Sequence, residues 1–199
     1  MTRVLVATTN AGKQREFRRL LAHLPADVVM PEELGLGLEV EEPHDTYAEN
    51  ATVKADAYAR ASGLLTLADD SGLEVAALGG GPGVRTGRWG QRDGRDPDRM
   101  IEVVAGADDR GARMVCVVAI GVPSGGDAAP SVELFEGTIE GSISAERRGS
   151  GGFGYDPVFE LADGRTTAEL PEAAKDVVSH RGRAVAAAMP RLLELLTGV

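Results

Sequence analysis

The first third of the chain combines a short apolar run with apolar positions at helical spacing. Residues 4–7 form an apolar run that predicts a buried strand, and residues 8–12 predict a turn after it. The apolar positions 17, 20, 21 and 24 then recur at helical spacing. The pattern predicts a strand, a turn and a helix in that order.

A second helix and strand follow an acidic, proline-containing segment over residues 39–45. Thr46 and Glu49 stand at capping-box spacing, which predicts a helix to about Ala61 that Gly63 ends. Residues 64–68 then predict a second buried strand. This strand runs into Asp69-Asp70-Ser71-Gly72, a sequence that by itself is also typical of an ordinary turn.

The rest of the chain alternates strands, helices and glycine-rich segments, which indicates the α/β class. The predicted elements are a mobile glycine-rich loop at 79–94, a helix at 97–105, two long paired strands at 113–122 and 132–144, a glycine loop at 149–157, and a C-terminal helix at 181–196 that Pro190 kinks or interrupts.

The composition of the chain limits the domain organisation and the binding partners that can be expected. The chain has 199 residues, 43% of them hydrophobic and only 4% aromatic, so a core of Ala, Val and Leu fits one large domain or two small lobes. Its net charge of −10 argues against binding to long nucleic acid, although a local cationic cluster can still hold a small anion.

The sequence also bears on membrane attachment and compartment. No apolar stretch approaches the roughly 20 residues of a membrane helix, and the apolar run at the start is too short for a signal peptide. The single cysteine, Cys116, stands in an apolar run and is expected to be a buried small hydrophobe. A lone cysteine forms no internal disulfide, which favours the cytoplasm.

Lysine and asparagine are rare in this arginine-rich chain. Of the 21 cationic residues only Lys13, Lys54 and Lys175 are lysines, and Asn10 and Asn50 are the only asparagines. Asn10 and Lys13 are three apart at a strand-to-helix junction, whereas Asn50 and Lys54 are four apart on one helix face. We infer that these pairs serve a chemical need, the alternative being chance survival of scarce residue types.

The turn before the first helix suits a phosphate chain. Free backbone N–H groups at a helix N-terminus favour an anion, and Lys13 adds a charge. The turn is not a Walker A loop, because it lacks the upstream glycine and the Ser or Thr after the lysine. The candidate phosphate-binding residues here are Thr8, Thr9, Asn10, Ala11, Gly12 and Lys13.

Carboxylates form a second candidate site. Asp69 and Asp70 follow a buried strand, and Glu41 and Glu42 lie on the acidic segment. Carboxylates that converge beside a phosphate site can hold Mg²⁺, whose preferred ligands are oxygens. For Glu41 and Glu42 a solvated loop remains the alternative.

A third candidate site lies in the glycine loop near the C-terminus. Phe153 and Tyr155 among glycines can form a slot for a nucleobase, with Asp156 reading its edge, and His180 and Arg181 can add contacts. The alternative is a tight turn with two core aromatics. The three histidines and one cysteine do not form a zinc pattern.

In these residues and their order, the chain closely resembles the inosine triphosphate pyrophosphatase family from Val4 to about Ala184. Five segments carry the resemblance in the same order: Thr8-Thr9-Asn10-Ala11-Gly12-Lys13 with Glu16, residues 46–54, Ala68-Asp69-Asp70-Ser71-Gly72-Leu73, residues 152–157, and Ser179-His180-Arg181.

The resemblance implies a single nucleoside triphosphate pyrophosphatase domain over residues 1–199. Its expected fold is α/β, elongated and two-lobed, with a twisted mixed β-sheet flanked by helices and a central substrate cleft. It implies a homodimer that uses Mg²⁺ to hydrolyse ITP, dITP and XTP to the monophosphate and pyrophosphate, which removes deaminated purines from the nucleotide pool.

The resemblance also implies roles for single residues. Asp70 is the expected general base and metal ligand, and Glu41 or Glu42 the second metal ligand. The residues expected to hold the phosphates are Thr8, Thr9, Asn10, Ala11, Gly12, Lys13, Lys54 and Ser71. Those expected to hold the base and nearby groups are Phe153, Gly154, Tyr155, Asp156, Lys175, His180 and Arg181.

The chain departs from the family pattern at one segment. Many relatives carry Ser-Ala-Arg where this chain has Thr86-Gly87-Arg88, and the loop over residues 89–96 is rich in glycine and charge. The role of Arg88 therefore stays open. Two other functions are kept as alternatives: a septum-type pyrophosphatase acting on modified pyrimidine nucleotides, and a nucleotide-binding regulator without turnover.

Overall fold

A computed structural model describes residues 2–89, 96–125 and 128–198. Its strands are β1 Arg3–Val6, β2 Asp27–Val29, β3 Leu65–Val75, β4 Pro82–Gly83, β5 Gly111–Val122, β6 Ser131–Ile143 and β7 Phe159–Glu160. Its helices are α1 Ala11–Leu20, α2 Tyr47–Ser62, α3 Pro97–Val104, α4 Glu172–Val178 and α5 His180–Thr197.

The strands form one mixed sheet in the order β2-β1-β3-β5-β6-β7, with β4 paired to β3. β1 runs parallel to β2 and β3, with Val4 opposite Val28 and Leu65. β4 pairs antiparallel to β3, and β7 antiparallel to β6. The α/β class, predicted from the alternation of elements, and the mixed sheet, implied by the family resemblance, are both confirmed.

The chain divides into two compact units. Unit 1 comprises Met1–Asp70, Val117–Glu136 and Ala184–Val199. Unit 2 comprises Ser71–Cys116 and Gly137–Arg183. The chain therefore passes from unit 1 to unit 2 between Asp70 and Ser71, inside β3.

The core of unit 1 is built mainly from small and aliphatic side chains, as the low aromatic content predicts, with the buried aromatic Tyr58 among them. Ala51, Ala55 and Tyr58 on α2 pack with residues of β1, β3 and β5. Gly121 shows how closely β5 approaches α2, because a Cβ there would lie 2.8 Å from the Ala55 carbonyl oxygen. Glycine is thus the residue that lets this strand contact the helix backbone.

The core of unit 2 is richer in large side chains. Tyr155 and Phe159 pack against residues of β3, α3, β5 and β6. Tyr155, expected in a base slot, is therefore largely a core residue with only 3% of its surface exposed. Cys116 of β5 is fully buried, as predicted.

The local signals at α2 act as predicted. Thr46 is the N-cap, its hydroxyl oxygen accepts from the Glu49 backbone N–H at 3.2 Å, and Gly63 ends the helix in the left-handed conformation at φ 65°. Across the described residues no helix is both long and apolar enough to span a bilayer.

Two predicted elements were wrong in extent, and one helix was not predicted. β3 does not end at Ala68 but continues through Asp69-Asp70-Ser71-Gly72 to Val75, because Lys13 and Asn50 from other elements contact the two aspartates. The C-terminal helix expected at 181–196 is confirmed as α5, which runs through Pro190 to Thr197 without interruption, and a separate helix that was not predicted, α4, precedes it. Part of the predicted loop at 79–94 forms β4 and a turn, and residues 90–95 lie outside the described residues.

Candidate functional site

The turn between β1 and α1 in unit 1 is fixed by its own side chains. Asn10 is the N-cap of α1, and its Oδ1 accepts from the Lys13 backbone N–H at 3.0 Å. Thr8 Oγ1 accepts from the Asn10 N–H at 3.2 Å, and the Thr8 carbonyl accepts from Gln14 Nε2 at 2.9 Å. Asn10 thus caps the start of the helix, a role that the rarity of asparagine in the chain does not predict.

Lys13 extends from this helix start to the end of the unit 1 part of β3. Its Nζ lies 2.9 Å from Asp69 Oδ2, and the two side chains are only 10% and 0% exposed. A buried ion pair needs good geometry to offset the cost of removing both charges from water. Lys13 is therefore held in place by Asp69.

Asp70 is held from α2. Asn50 Nδ2 donates to Asp70 Oδ2 at 3.1 Å and to the His44 carbonyl at 3.2 Å, while Asn50 Oδ1 accepts from the His44 N–H at 3.1 Å. Consecutive strand residues point to opposite faces, so Asp69 meets Lys13 of α1 whereas Asp70 meets Asn50 of α2. Asn50 is 2% exposed and joins the acidic segment to Asp70.

Lys54 adds a second cation from the next turn of α2. Its Nζ donates to the Asp69 carbonyl at 2.5 Å and lies 3.1 Å from Glu42 Oε1. Asn50 and Lys54 thus act from one helix face, as their four-residue spacing predicts. Glu42 is brought to the cluster by this contact, whereas Glu41 is exposed.

Asp70 has a perturbed acidity. Burial raises the pKa of its carboxyl group above the usual value, since the charged form loses water. The charges of Lys54 and Lys13 and the hydrogen bond from Asn50 oppose this shift, and the charge of Glu42 adds to it. A buried carboxylate flanked by two cations is an arrangement typical of catalytic sites.

The donor set of unit 1 suits a hard cation that also binds phosphate. No group of three His, Cys, Asp or Glu side chains able to hold a metal occurs within residues 2–89, 96–125 and 128–198. Mg²⁺ does not need such a cage, because one or two carboxylates with substrate phosphates and waters complete its octahedron. Asp70 and Glu42 are oxygen donors that fit this requirement.

A pocket in unit 2 gathers the residues predicted to bind the base. All seven line it together with Ser71: Phe153, Gly154, Tyr155, Asp156, Lys175, His180 and Arg181. Ser71 was expected at the phosphates by resemblance, and the structure places it in this pocket beside Arg181. The remaining lining residues are Gly72, Leu73, Thr86 and Met114.

Asp156 organises one side of the pocket. Its Oδ2 accepts from the Phe153 N–H at 2.7 Å and from Lys175 Nζ at 2.5 Å, and its Oδ1 accepts from Thr167 Oγ1 at 2.8 Å. Both carboxylate oxygens thus accept from protein donors, and direct reading of the base edge by Asp156 stays a prediction. Its structural effect is to position Lys175 and the loop at Phe153.

Position 152 in this loop requires glycine. Gly152 has φ +70°, and a Cβ at this position would lie 2.0 Å from Asp156 Oδ2 and 2.7 Å from Lys175 Nζ. A side chain would displace the ion pair, in addition to the strain of the left-handed backbone. The glycine therefore creates the space in which Asp156 and Lys175 meet.

Arg181 lines the pocket from the first turn of α5 and is 2% exposed. Its Nη2 donates to Ser71 Oγ at 3.0 Å, and its Cζ lies 5.7 Å from the centre of the Phe153 ring. Lys175 Nζ lies 5.5 Å from the same ring centre. One aromatic ring thus stands close to two cations, a setting that favours an electron-rich heterocycle with acceptor oxygens.

Comparison with known proteins places the chain in a family. The family model described as the Ham1 family matches residues 4–191. The chain belongs to the Ham1 family. The resemblance predicted from the five sequence segments is thereby confirmed.

Several relatives of this Ham1-family chain are similar along nearly their whole length. It is 46% identical to a dITP/XTP pyrophosphatase from Symbiobacterium thermophilum, over 98% of this chain and 96% of that protein. It is 44% identical to one from Nostoc sp., over 99% and 98%. A HAM1 protein structure from Coxiella burnetii superposes with a TM-score of 0.80 at 36% identity, covering 100% of both chains.

Some residues of the Ham1-family chain contribute in ways that the sequence did not indicate. In the sequence Asn50 stands out only by the rarity of asparagine, whereas its bond to Asp70 depends on a strand 20 residues away. Thr86 lines the unit 2 pocket, although in the sequence it is only a departure from the family pattern. Arg88 is exposed in the turn after β4, and Thr9 and Ala11 are exposed in the turn at Asn10.

Proposed function

We propose that the chain hydrolyses ITP, dITP and XTP between the α and β phosphates, releasing the nucleoside monophosphate and pyrophosphate. The observation that carries the proposal is the buried Asp70 carboxylate, held by Asn50 and flanked by Lys13 and Lys54. Relatives named dITP/XTP pyrophosphatases, 40% to 46% identical, support the substrate class. Residues 1–199 then act as a single catalytic domain.

The triphosphate is assigned to unit 1. The candidate residues are Thr8, Thr9, Asn10, Ala11, Gly12, Lys13 and Lys54, which offer backbone N–H groups, hydroxyls and two ammonium groups. Lys13 and Lys54 are held by Asp69 and Glu42, so their charges are fixed before substrate arrives. Such preorganised charge lowers the barrier because it needs no rearrangement as charge develops on the leaving pyrophosphate.

Asp70 and Glu42 are the proposed ligands of Mg²⁺, with Glu41 the less favoured candidate because it is exposed. When bound, the metal neutralises phosphate charge and makes a coordinated water more acidic. The pairing of Glu42 with Lys54 supports its placement near Asp70, whose pKa its charge also raises.

Asp70 acts as the general base in this proposal. A water oxygen attacks the α phosphorus, its proton passes to the Asp70 carboxylate, and the bond to the bridging oxygen of the β phosphate breaks. The raised pKa of Asp70 makes it a stronger base than an exposed aspartate. Asn50 fixes Oδ2 and therefore the direction from which the carboxylate receives the proton.

The purine is assigned to the unit 2 pocket, where Phe153 offers a stacking face and Lys175, His180 and Arg181 offer donors. Gly154 and Tyr155 shape the loop, Ser71 holds Arg181, and Asp156 holds Lys175. Donors favour the six-position oxygen of hypoxanthine and xanthine. A six-amino group would meet a donor and leave a buried group unpaired, at a cost of roughly 1–3 kcal/mol.

We also propose that the enzyme works as a homodimer, as the sequence resemblance implies, and in the cytoplasm, which the lone cysteine favours. The buried thiol of Cys116, the single cysteine of the chain, is compatible with a reducing compartment. Light scattering on the purified chain tests the dimer, since a mass of one chain at micromolar concentration would contradict it.

A substrate panel tests the function. The purified enzyme with Mg²⁺ is incubated with ITP, dITP, XTP, ATP and a modified pyrimidine triphosphate, and pyrophosphate release is measured. The proposal expects ITP, dITP and XTP to react much faster than ATP. Preferred turnover of the pyrimidine would indicate the septum-type activity instead, and binding without turnover would indicate a regulator.

A further inference from the structure

Thr86 is a buried polar residue that the proposed function does not use. It is 7% exposed, lies three residues after β4, and lines the unit 2 pocket with Ser71, Phe153 and Arg181. Its hydroxyl is engaged with backbone groups on both sides. Buried hydroxyls normally have such partners, and here the partners identify what the residue holds together.

The Thr86 hydroxyl bridges a cross-strand pair. Oγ1 accepts from the Leu73 N–H at 2.8 Å and donates to the Gly83 carbonyl at 2.5 Å. Leu73 and Gly83 are directly opposite each other where β3 pairs with β4. One side chain therefore ties the segment after β4 back to β3 at the point where that strand borders the pocket.

The anchored part of β3 presents Ser71 to Arg181. Ser71 and Leu73 are two residues apart on the strand, so their side chains share one face, and both line the pocket. Ser71 Oγ accepts from Arg181 Nη2 at 3.0 Å. A shift of the strand at Leu73 would therefore move the acceptor that orients the Arg181 guanidinium.

We propose that Thr86 is a positioning residue for base discrimination: its hydroxyl fixes the β3 wall of the pocket and thereby the direction in which Arg181 donates. The inference rests on the proposed function, because it assigns Arg181 to the purine. The inference is specific to one group of the side chain: the hydroxyl of Thr86, and not its methyl group or its volume, sets the preference for a six-oxo over a six-amino purine.

Three substitutions separate the hydroxyl from the shape. Thr86→Val keeps the shape without the hydroxyl, Thr86→Ala removes hydroxyl and methyl without adding bulk, and Thr86→Ser keeps the hydroxyl. Thr66→Val is the matched control, because Thr66 is a fully buried threonine of β3 whose Oγ1 donates to the Leu64 carbonyl at 2.9 Å, within unit 1. It tests the cost of losing a buried hydroxyl elsewhere on the same strand.

The measurement is kcat/KM for ITP and for ATP in each variant, with the midpoint of thermal unfolding recorded in parallel. We expect the ITP-to-ATP ratio to fall by about tenfold in Thr86→Ala and Thr86→Val, and to stay within about twofold of wild type in Thr86→Ser and Thr66→Val. A purely structural role would lower both rates together and leave the ratio unchanged.

The outcomes distinguish this inference from the function on which it rests. If the wild-type enzyme did not prefer ITP to ATP, the proposed function itself would fail. If wild type prefers ITP and Thr86→Ala keeps that preference, or Thr86→Ser loses it as fully as Thr86→Ala, the positioning role is overturned. Thr86→Ala keeps the test decisive even if Thr86→Val does not fold.

Discussion

Asn50 Nδ2 donates a 3.1 Å hydrogen bond to Asp70 Oδ2 and joins the first turn of α2 to the last residue of unit 1 in β3. The bond favours the ionised carboxylate and lowers the pKa of Asp70 against the effect of burial. Asn50→Ala should therefore raise that pKa further. The base then needs a higher pH to be deprotonated.

For Asn50→Ala we expect the acidic limb of the kcat profile to move to higher pH at saturating Mg²⁺. On the plateau above that limb, kcat should still be roughly tenfold or more below wild type, since the carboxylate is no longer oriented. Steady-state kinetics from pH 5 to about 9 measure both effects. An unmoved limb would show that the hydrogen bond does not act on the catalytic carboxylate.

Neighbouring aspartates should respond oppositely to the same substitution. Asp70→Asn should lose about a hundredfold or more in kcat because the base is gone. It should be no less stable than wild type at neutral pH: burial raises the folded-state pKa of Asp70, so the ionised group costs stability once the pH rises above its unfolded value. Denaturant unfolding measures the stability.

Asp69→Asn is the contrasting variant. It leaves the buried Lys13 ammonium without its carboxylate at 2.9 Å, which should cost about 3 to 5 kcal/mol in the free energy of unfolding. Equal free energies of unfolding for Asp69→Asn and Asp70→Asn would mean that the different surroundings of the two aspartates do not affect stability.

The scarcity of lysine predicts positions where arginine fails. Lys13→Arg and Lys54→Arg keep the charge but place a broad fork where a compact ammonium contacts Asp69 and Glu42. Each should lower kcat/KM by about tenfold, or roughly 1.4 kcal/mol. Arg60→Lys is a reverse exchange at an exposed ion pair with Asp56 and should leave the rate unchanged.

For Lys175 the structure leads to a different prediction from the sequence. The sequence alone predicts that position 175 tolerates arginine if Lys175 only borders the base pocket. The structure buries it with its Nζ 2.5 Å from Asp156, so Lys175→Arg should also lose about tenfold in kcat/KM. Wild-type efficiency in all three arginine variants would mean that the lysine count carries no chemical information.

Gly152→Ala should disable the pocket through a steric clash. A Cβ would lie 2.0 Å from Asp156 Oδ2, so the ion pair with Lys175 must shift. Gly164→Ala is the matched control, since Gly164 also has positive φ, +84°, but a Cβ there would meet no atom within 4 Å. The control should lose only the strain of about 1–2 kcal/mol, with kcat/KM retained.

The fold was predictable wherever local signals determine it. The helix start at Thr46, the stop at Gly63 and the order of strands and helices follow from capping chemistry and periodicity. The extent of β3 was not predictable, since its charged residues are stabilised by Lys13 and Asn50, which are 56 and 20 residues away. Sequence spacing cannot reveal that a charged pair will be satisfied inside a strand.

The candidate site was predictable as a set of residues but not as a set of roles. Rare residue types pointed to Lys13, Asn50 and Lys54, the phosphate turn, the carboxylates and the glycine loop supplied most other candidates, and the family resemblance added Ser71 and the individual expected roles. The engagement of both Asp156 oxygens, by the Phe153 N–H, Thr167 and Lys175, and the bridge made by Thr86 depend on groups that only the folded chain brings together. Those contacts give Asp156, which lines the pocket, a positioning effect that the sequence did not indicate.

Glu41 and Glu42 can be separated by their metal dependence. Glu42→Gln should raise the Mg²⁺ concentration for half-maximal rate, since Glu42 is the carboxylate held beside Lys54. Glu41→Gln should leave it near wild type because Glu41 is exposed. Titration of the ITP rate with Mg²⁺ decides, and a larger effect from Glu41→Gln would reverse the assignment.

The position of bond cleavage tests the central claim most directly. ITP is hydrolysed with Mg²⁺ in ¹⁸O-labelled water, and the products are examined by mass spectrometry. Attack on the α phosphorus predicts one ¹⁸O atom in IMP and none in pyrophosphate. Label in pyrophosphate, or release of IDP and orthophosphate as first products, would contradict the account.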